Sequence, residues 1–597
     1  MKLVVPCLGT LHSADARLVR LAEFLGCRFE LLSVEKGCSF SIESIKNRVG
    51  EENSCLVINP AVVRECYWSD FFPDNLASSL TSQFSFLLVH NLSFDSFSAT
   101  ILNALSLGSL GSVHPVETAE LCYEVASEYD HVCGPFSGLT FGPVNATADR
   151  FIAKSAGPAA VRTYIGIGGQ PLLAGIQRQG AEVLVLANAE IADLDAENES
   201  KVLRESFSKL VPPAMLLRYV FGEECWRPNQ NHAAFIIDDP LLRRNYGFLN
   251  YERLLRLMDE FNFHTSIAFI PHNYLRNSKS IARMFRERPD RFSICFHGND
   301  HTAAEFAARD SPLLNSLLTE AEERLRVFHT KTGIPVDDVM VFPQGHFSRD
   351  AMKVLKAHNF SAAVNSGPYP LGECTALTLS DIIQPAILKY SGFPLFLREY
   401  VGEMTTQDVA FYLFFGKPVF IMEHHEFFKD PKSLPELVSR INRLAPDIHW
   451  SNLRTAVRNS YLVRKAVDRT LQIRAYSSSG SITNNSDGPL PCYVNWPGSP
   501  EASGQEVFLD GLLSSTGHSN GAGFRLFCEL PPHVVRTFAL VHDNGYGFSD
   551  KNRGFRWKAQ AFLRRRLSEV RDNYLSRCRP LLTAAKGLQR RLWRAPH

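Results

Sequence analysis

Between Asn231 and Ser460 short apolar runs alternate with longer amphipathic stretches, and several of the runs stop abruptly at ionisable residues. Phe235-Ile236-Ile237 ends in Asp238-Asp239, and Phe292-Ser293-Ile294-Cys295-Phe296 ends in His297-Gly298-Asn299-Asp300-His301. A run of adjacent apolar residues that includes Ile-Ile reads as a strand buried on both faces, the pattern of a parallel sheet covered by helices. Ionisable groups at the end of such a strand lie where the sheet opens onto a pocket. Carboxylate and imidazole together in that place point to a metal ion.

The same alternation continues along this segment. A helical pattern carrying Leu254, Leu255, Leu257, Met258 and Phe261 leads into the strand Thr265 to Ile270, which Pro271 stops. Helix Leu313 to Phe328, strand Val339 to Phe342, helix Arg349 to Ala357, strand Ser361 to Val364, strand Pro418 to Met422 and helix Leu434 to Leu444 follow. Strands alternating with helices over a stretch of this length predict a (β/α) barrel across 227–460.

At 597 residues the chain is too long for one core, and about 150 residues per domain suggests three or four. Residues 1–130 alternate strands (Leu3 to Val5, Cys55 to Ile58, Phe86 to Val89) with helices such as Ala14 to Leu25, which predicts a small open α/β domain. Residues 131–226 read as a second α/β or β-rich module; its Gly166, Gly168 and Gly169 lack the spacing of a phosphate loop and read as a turn. The Ser, Gly, Asn and Pro texture of 475–545, with short runs such as Pro491 to Trp496, predicts a β-sandwich.

Hydrophobic residues at 45% and charged residues at 21% exclude a wholly disordered chain. Thirteen cysteines without a Cys-x-x-Cys pair signal neither a zinc ribbon nor a complete disulfide framework, and reduced thiols in a cytoplasm are the simpler expectation. Pro6 and Gly9 interrupt the first apolar stretch, which reads as a strand and not as a signal-peptide core. No stretch reaches the eighteen or so apolar residues of a membrane helix.

The net charge of +1 hides an asymmetry. Residues 551–597 hold fourteen Lys/Arg against two acidic residues, a surplus of twelve positive charges. Leu563, Leu567, Val570, Tyr574 and Cys578, then Leu581, Ala585, Leu588 and Leu592 beyond Pro580, repeat at helical spacing with arginines between them. Three readings compete for this basic amphipathic tail: docking on the protein's own body or in an oligomer, peripheral contact with the inner face of a membrane, and nucleic-acid binding. Nucleic acid ranks last, since no binding motif accompanies the charge.

Two imidazoles and one carboxylate fill the protein ligands of a hydrolytic zinc-type site and leave a position open for water. His297 and His301, four apart, have a spacing used in metal chelation on one helix face or in a tight loop. The order Asp238-Asp239, His297-x-x-x-His301, a strand ending in Pro343-Gln344-Gly345, and a strand ending in His424 resembles the NodB-homology polysaccharide deacetylases, the carbohydrate esterases of family four, over about 231–450. The resemblance implies a distorted NodB-like (β/α) barrel in which Asp238 is the general base and Asp239, His297 and His301 hold a divalent cation such as zinc. It further implies His424 as general acid, and Pro343, Gln344, Gly345 and His425 in contact with substrate. The strand Thr265 to Ile270 stands where the family has a Thr-Phe-Phe strand.

The sequence departs from the family at three points. Val341 stands where an arginine would orient the base, Gln344 where a tyrosine stands, and Val364-Asn365-Ser366 lacks an Asp-Trp pair. His425, Asp300 and His346 are candidates for the missing roles, while Glu423 to Glu426 read first as the rim of the same pocket and, as the alternative, as a second metal site. The expected protein is therefore a cytoplasmic, metal-dependent deacetylase that removes an acyl group, N-acetyl foremost, from a sugar or glycan precursor. The rival expectation, raised by Val341, is a non-catalytic glycan-binding or scaffold protein that keeps the barrel.

Overall fold

The computed structural model describes residues 1–34, 53–67, 72, 74–118, 120–145, 148–188, 190–198, 200–302, 304–497, 505–514, 517–519, 523–542 and 555–574. They fall into two compact units, Met1–Arg227 with Thr378–Ser380 and Val463–Arg469, and the remainder from Pro228 onward.

In the first unit nine strands form one sheet, in the order Phe29–Ser33, Lys2–Cys7, Ser54–Ile58, Phe86–Val89, Ala181–Leu186, Gln170–Arg178, Val161–Ile167, Tyr123–Val125, Thr140–Phe141. The first five are parallel and the rest antiparallel. Phe86–Val89 pairs directly with Ala181–Leu186, so strands from before and after residue 130 lie in a single sheet. Both Leu3-Val4-Val5 and Val183-Leu184 are fully buried, which is why these runs read as uninterrupted apolar sequence. Gly168 (φ 56°) and Gly169 (φ 79°) join Val161–Ile167 to Gln170–Arg178 as a two-residue turn. Two successive positive φ values suit glycine and the tight hairpin, in line with the turn reading.

In the second unit the strands predicted between Asn231 and Ser460, with two short ones the sequence pattern did not mark, Leu395–Leu397 and Glu399–Tyr400, align in parallel and nearly in sequence order. Leu395–Leu397, Ala362–Asn365, Asp337–Val341, Phe292–Phe296, Thr265–Phe269, His232–Asp238, Val419–Glu423 and Glu399–Tyr400 are successive neighbours. Every pairing among them is parallel, and helices such as Tyr251–Phe261, Ser311–Thr332 and Arg349–Ala357 connect them. The hydrogen-bonded order is open and not a closed ring. Its two edges, Leu395–Leu397 and Glu399–Tyr400, are nevertheless separated in sequence by Arg398 alone. A parallel sheet of this kind presents its site at the carboxyl ends of the strands.

Residues 471–542 form β-structure in two pieces. One contains Leu471–Arg474, Leu490–Pro497, Gly523–Leu530 and Gly517–Ser519, the other Ser479–Thr483, Val535–His542, Gln505–Leu509 and Leu512–Leu513. Buried Trp496 and Phe538 bring the two together, ring centroids 5.6 Å apart, with the indole Nε1 donating to the Ser477 carbonyl at 3.0 Å. Helix Phe555–Asn573 follows. The part of the predicted helical tail beyond Pro580 lies outside the described residues. Phe538→Ala would empty a space between the two sheets and is expected to cost about 3–5 kcal/mol. Urea unfolding followed by tryptophan fluorescence would report this as an earlier transition.

Candidate metal centre

Strand His232–Asp238 is buried throughout and ends on the acid pair. Asp239 sits just beyond it at φ 78°, a turn that sends its side chain off the strand's alternation. The ladder nevertheless continues, with Asp239 N donating to Ala268 O at 3.2 Å and His297 N to Phe269 O at 3.1 Å. The two strands on either side of Thr265–Phe269 thus deliver two carboxylates and the first imidazole to one end of the sheet.

His301 arrives by a tight loop. Gly298 (φ 64°) and His301 (φ 54°) turn the chain around the carboxylate of Glu305, which accepts from the backbone N–H groups of Asn299 (2.8 Å), Asp300 (3.2 Å), His301 (3.0 Å) and Thr302 (3.3 Å). A Cβ on Gly298 would overlap the Glu305 carboxylate and the Pro343 ring, so the loop requires glycine there. Burial pushes the Glu305 carboxyl up, and the backbone donors offset this only in part.

The donor atoms of Asp239, His297 and His301 lie within 4.8 Å of one another. Asp239 Oδ1 is 3.4 Å from His297 Nε2 and 3.1 Å from His301 Nε2. Ligands bound at about 2.0–2.1 Å in a tetrahedron stand roughly 3.3–3.4 Å apart, so the spacing suits a zinc-sized ion. Asp239 Oδ1 is buried and has no hydrogen bond to either ring, as expected of donors aimed at a shared point. His297 Nδ1 lies 2.9 Å from the Val341 carbonyl, a contact that places the proton on Nδ1 and leaves Nε2 free to ligate. These three residues fit a divalent cation.

Asp238 is held differently. Arg398 Nη1 and Nη2 donate to its two carboxylate oxygens, both at 2.7 Å, in a pair almost wholly removed from solvent. Burial alone would raise the Asp238 carboxyl. The Arg398 guanidinium, His297 and the two hydrogen bonds outweigh it and hold the group below the ordinary carboxylate range. Asp239 is likewise held well below that range, against burial, by His301, His297 and the Arg565 guanidinium. His297 moves the other way, raised by the two aspartates despite burial, whereas burial and then Arg565 outweigh Asp239 and lower His301 to about 3.

Asp238, Asp239, His297, His301, Gln344, Gly345, Arg398, His424 and His425 all line one cavity of about 340 Å³. Pro343 does not: it is buried beside the His297–His301 loop, and its neighbour Gln344, at φ 59°, reaches the lining instead. The candidate substitutes divide. Asp300 is engaged by Arg324 (2.7 Å), His272 (3.1 Å) and Trp557 (3.2 Å), a framework role, and His346 is absent from the lining. His425 is a lining residue, 3.5 Å from both Glu426 and Asp572.

The contact to Asp238 expected of an arginine at Val341 is made instead by Arg398, from a different strand end. No spacing rule in the sequence marks Arg398, because its position depends on the meeting of the sheet's edges. Glu305, four residues after His301, and Arg571 and Asp572 of the C-terminal helix were equally silent. A larger opening of about 670 Å³ beside Arg454, Arg458 and Phe538 brings together no group of acids and histidines; both arginines are paired with Asp338.

No family model matches the chain, and no curated protein matches it. Among solved structures it is similar to a family 4 carbohydrate esterase from Streptomyces lividans in complex with acetate, 11% identical over 38% of this chain and 94% of that one, TM-score 0.24. A putative polysaccharide deacetylase from Mycobacterium smegmatis is 17% identical over 38% and 89%, TM-score 0.24. The catalytic domain of a peptidoglycan N-acetylglucosamine deacetylase from Eubacterium rectale is 11% identical over 38% and 91%, TM-score 0.22. Likenesses this partial leave the site's own geometry to carry its chemistry.

Replacing Glu305 by Ala removes the anchor of four loop amides and is expected to lower zinc affinity about 10–100-fold, measured by competition with a chromogenic chelator. His297 is raised above its ordinary value, so it must give up a proton to ligate. Zinc affinity should therefore rise with pH through the histidine range, with proton uptake by buffer visible in calorimetry.

Proposed function

We propose that the protein is a divalent-cation-dependent hydrolase of the polysaccharide-deacetylase type, which removes an acyl group, N-acetyl foremost, from an amino sugar or a glycan precursor. The observation that carries this reading is a buried Asp238, gripped through both oxygens by Arg398, beside a convergent Asp239, His297 and His301 in one cavity. Zinc is the cation that best suits two imidazoles and a carboxylate.

A bound divalent cation lowers the pKa of water toward about 7 and polarises a carbonyl oxygen. Asp239, His297 and His301 would hold it. Asp238, His297 Nε2 4.0 Å from its Oδ2, stands beside that group without belonging to it, which suits a base better than a ligand. Arg398 fixes both carboxylate oxygens, so Asp238 presents a single orientation and stays ionised at neutral pH. A carboxylate held below its ordinary range is a weak base, and it needs an acidified water as its partner. The proton passes to Asp238, the water oxygen bonds to the acyl carbon, the C–N bond breaks, and His424 protonates the departing nitrogen. A carboxylic acid and a free amine result.

His424, a lining residue whose ring stacks near Tyr400 with centroids 6.3 Å apart, would act as the acid. Gln344, Gly345 and His425 line the remaining wall and would meet the sugar. Arg398 weighs against the rival reading, since it grips both oxygens of Asp238, a contact that Val341 cannot make.

The test is amine release from N-acetylated oligosaccharides by the full chain with zinc. Asp238→Asn should lose about 10²–10⁴ in rate while keeping its zinc. Arg398→Lys should lower kcat more than it alters zinc content, because one ammonium cannot grip both oxygens. Wild-type protein that takes up no zinc, or Asp238→Asn with undiminished turnover, would overturn the assignment.

A further inference from the structure

Helix Phe555–Asn573 is amphipathic in the inverse sense. At about 100° per residue, Ala561, Arg565, Ser568 and Asp572 share one face, and all four are buried. Leu563, Leu567, Val570 and Tyr574 share the opposite face, with Phe562 beside them, and these five are 45–73% exposed. A helix on a globular body ordinarily buries its apolar stripe. Here polar contacts hold the inner face: Trp557 Nε1 donates to Asp300 Oδ2 (3.2 Å), Tyr246 Oη to Asp572 Oδ2 (2.8 Å) and Gly247 N to Asn573 Oδ1 (2.9 Å). Glu569 pairs with Arg243 and Arg276.

We infer that the outward stripe of this helix is a lipid-docking surface, which seats the protein on an anionic membrane. Charge decides the occupant. Residues 551–597 carry a surplus of twelve positive charges, and Arg566, about half exposed, flanks the stripe. Apolar residues rimmed by arginines match a surface of acyl chains beneath anionic headgroups. A second copy of the chain would set the same basic segment against itself. Nucleic acid would leave the apolar stripe in water. No described helix is long and apolar enough to cross a bilayer, so the contact is peripheral.

The same helix contributes Arg571 and Asp572 to the wall of the metal cavity. Docking by the outer face would therefore bring the cavity's wall to the lipid, and, resting on the hydrolase reading, it points to an acylated amino sugar carried on an amphiphile. The docking itself does not depend on that reading.

The experiment is flotation of the full chain with phosphatidylcholine vesicles, with and without phosphatidylserine. Wild type should rise only with the anionic vesicles, and less so as salt is added. Leu563→Ser/Leu567→Ser/Val570→Ser should reduce the floated fraction at least about tenfold, because each serine forfeits most of a buried apolar side chain, while zinc content and melting temperature stay unchanged. In otherwise unaltered protein, Tyr574→Trp should give a blue-shifted emission on the same vesicles. Wild type that stays at the bottom, a triple variant that floats equally, or an unshifted Tyr574→Trp spectrum would overturn the inference. So would a stripe-dependent dimer in sedimentation without vesicle binding. Flotation without amide hydrolysis would leave the docking intact and count against the hydrolase alone.

Discussion

The bidentate pair between Arg398 and Asp238 fixes the chemistry at the end of the sheet. Asp238 closes a fully buried strand, and Arg398 is the single residue between the strand that forms one edge of the sheet and the strand that forms the other. An unpaired carboxylate in that position would face a large desolvation penalty and take up a proton. Two parallel N–H···O bonds at 2.7 Å prevent this and leave the acid ionised and oriented. The contact therefore links fold and site: the same residue that spans the sheet's edges holds the acid beside the candidate metal ligands below the ordinary carboxylate range.

The candidate ligands are arranged by a second, independent device. His297 is set by the ladder and by its bond to the Val341 carbonyl, whereas His301 is set by a loop wound around a buried glutamate. A carboxylate that gathers four backbone amides acts as a template for the loop, so the spacing between the two imidazoles follows from Glu305 and Gly298 as much as from the histidines. The opposed shifts of the two rings follow from their different neighbours. His297 faces both aspartates, while His301 lies deep in the protein and within reach of the Arg565 guanidinium.

Arg565 belongs to the C-terminal helix, which ties that segment to the site. Its inner face meets Asp300, His301 and Tyr246, and two of its residues line the cavity. The self-docking and membrane readings of the basic tail, alternatives when only charge and periodicity are considered, concern opposite faces of one helix. Polar groups dock it, and the apolar stripe is left outside.

The amino-acid order by itself determined the alternation of strands and helices from Asn231 to Ser460, since buried parallel strands must be apolar on both faces and amphipathic helices repeat at 3.6 residues. It also marked Asp238, Asp239, His297 and His301, as ionisable residues that end apolar runs, and His424 through the order of the motifs. Tertiary structure alone decided that Phe86–Val89 pairs with Ala181–Leu186, nearly a hundred residues on, which joins two stretches that composition separates. It alone chose Arg398 to grip Asp238, Glu305 to wind the loop, and the arginine-bearing face of the last helix to turn inward. Each of these is a contact between residues far apart in the chain or off any period, and distance in space leaves no trace in local spacing.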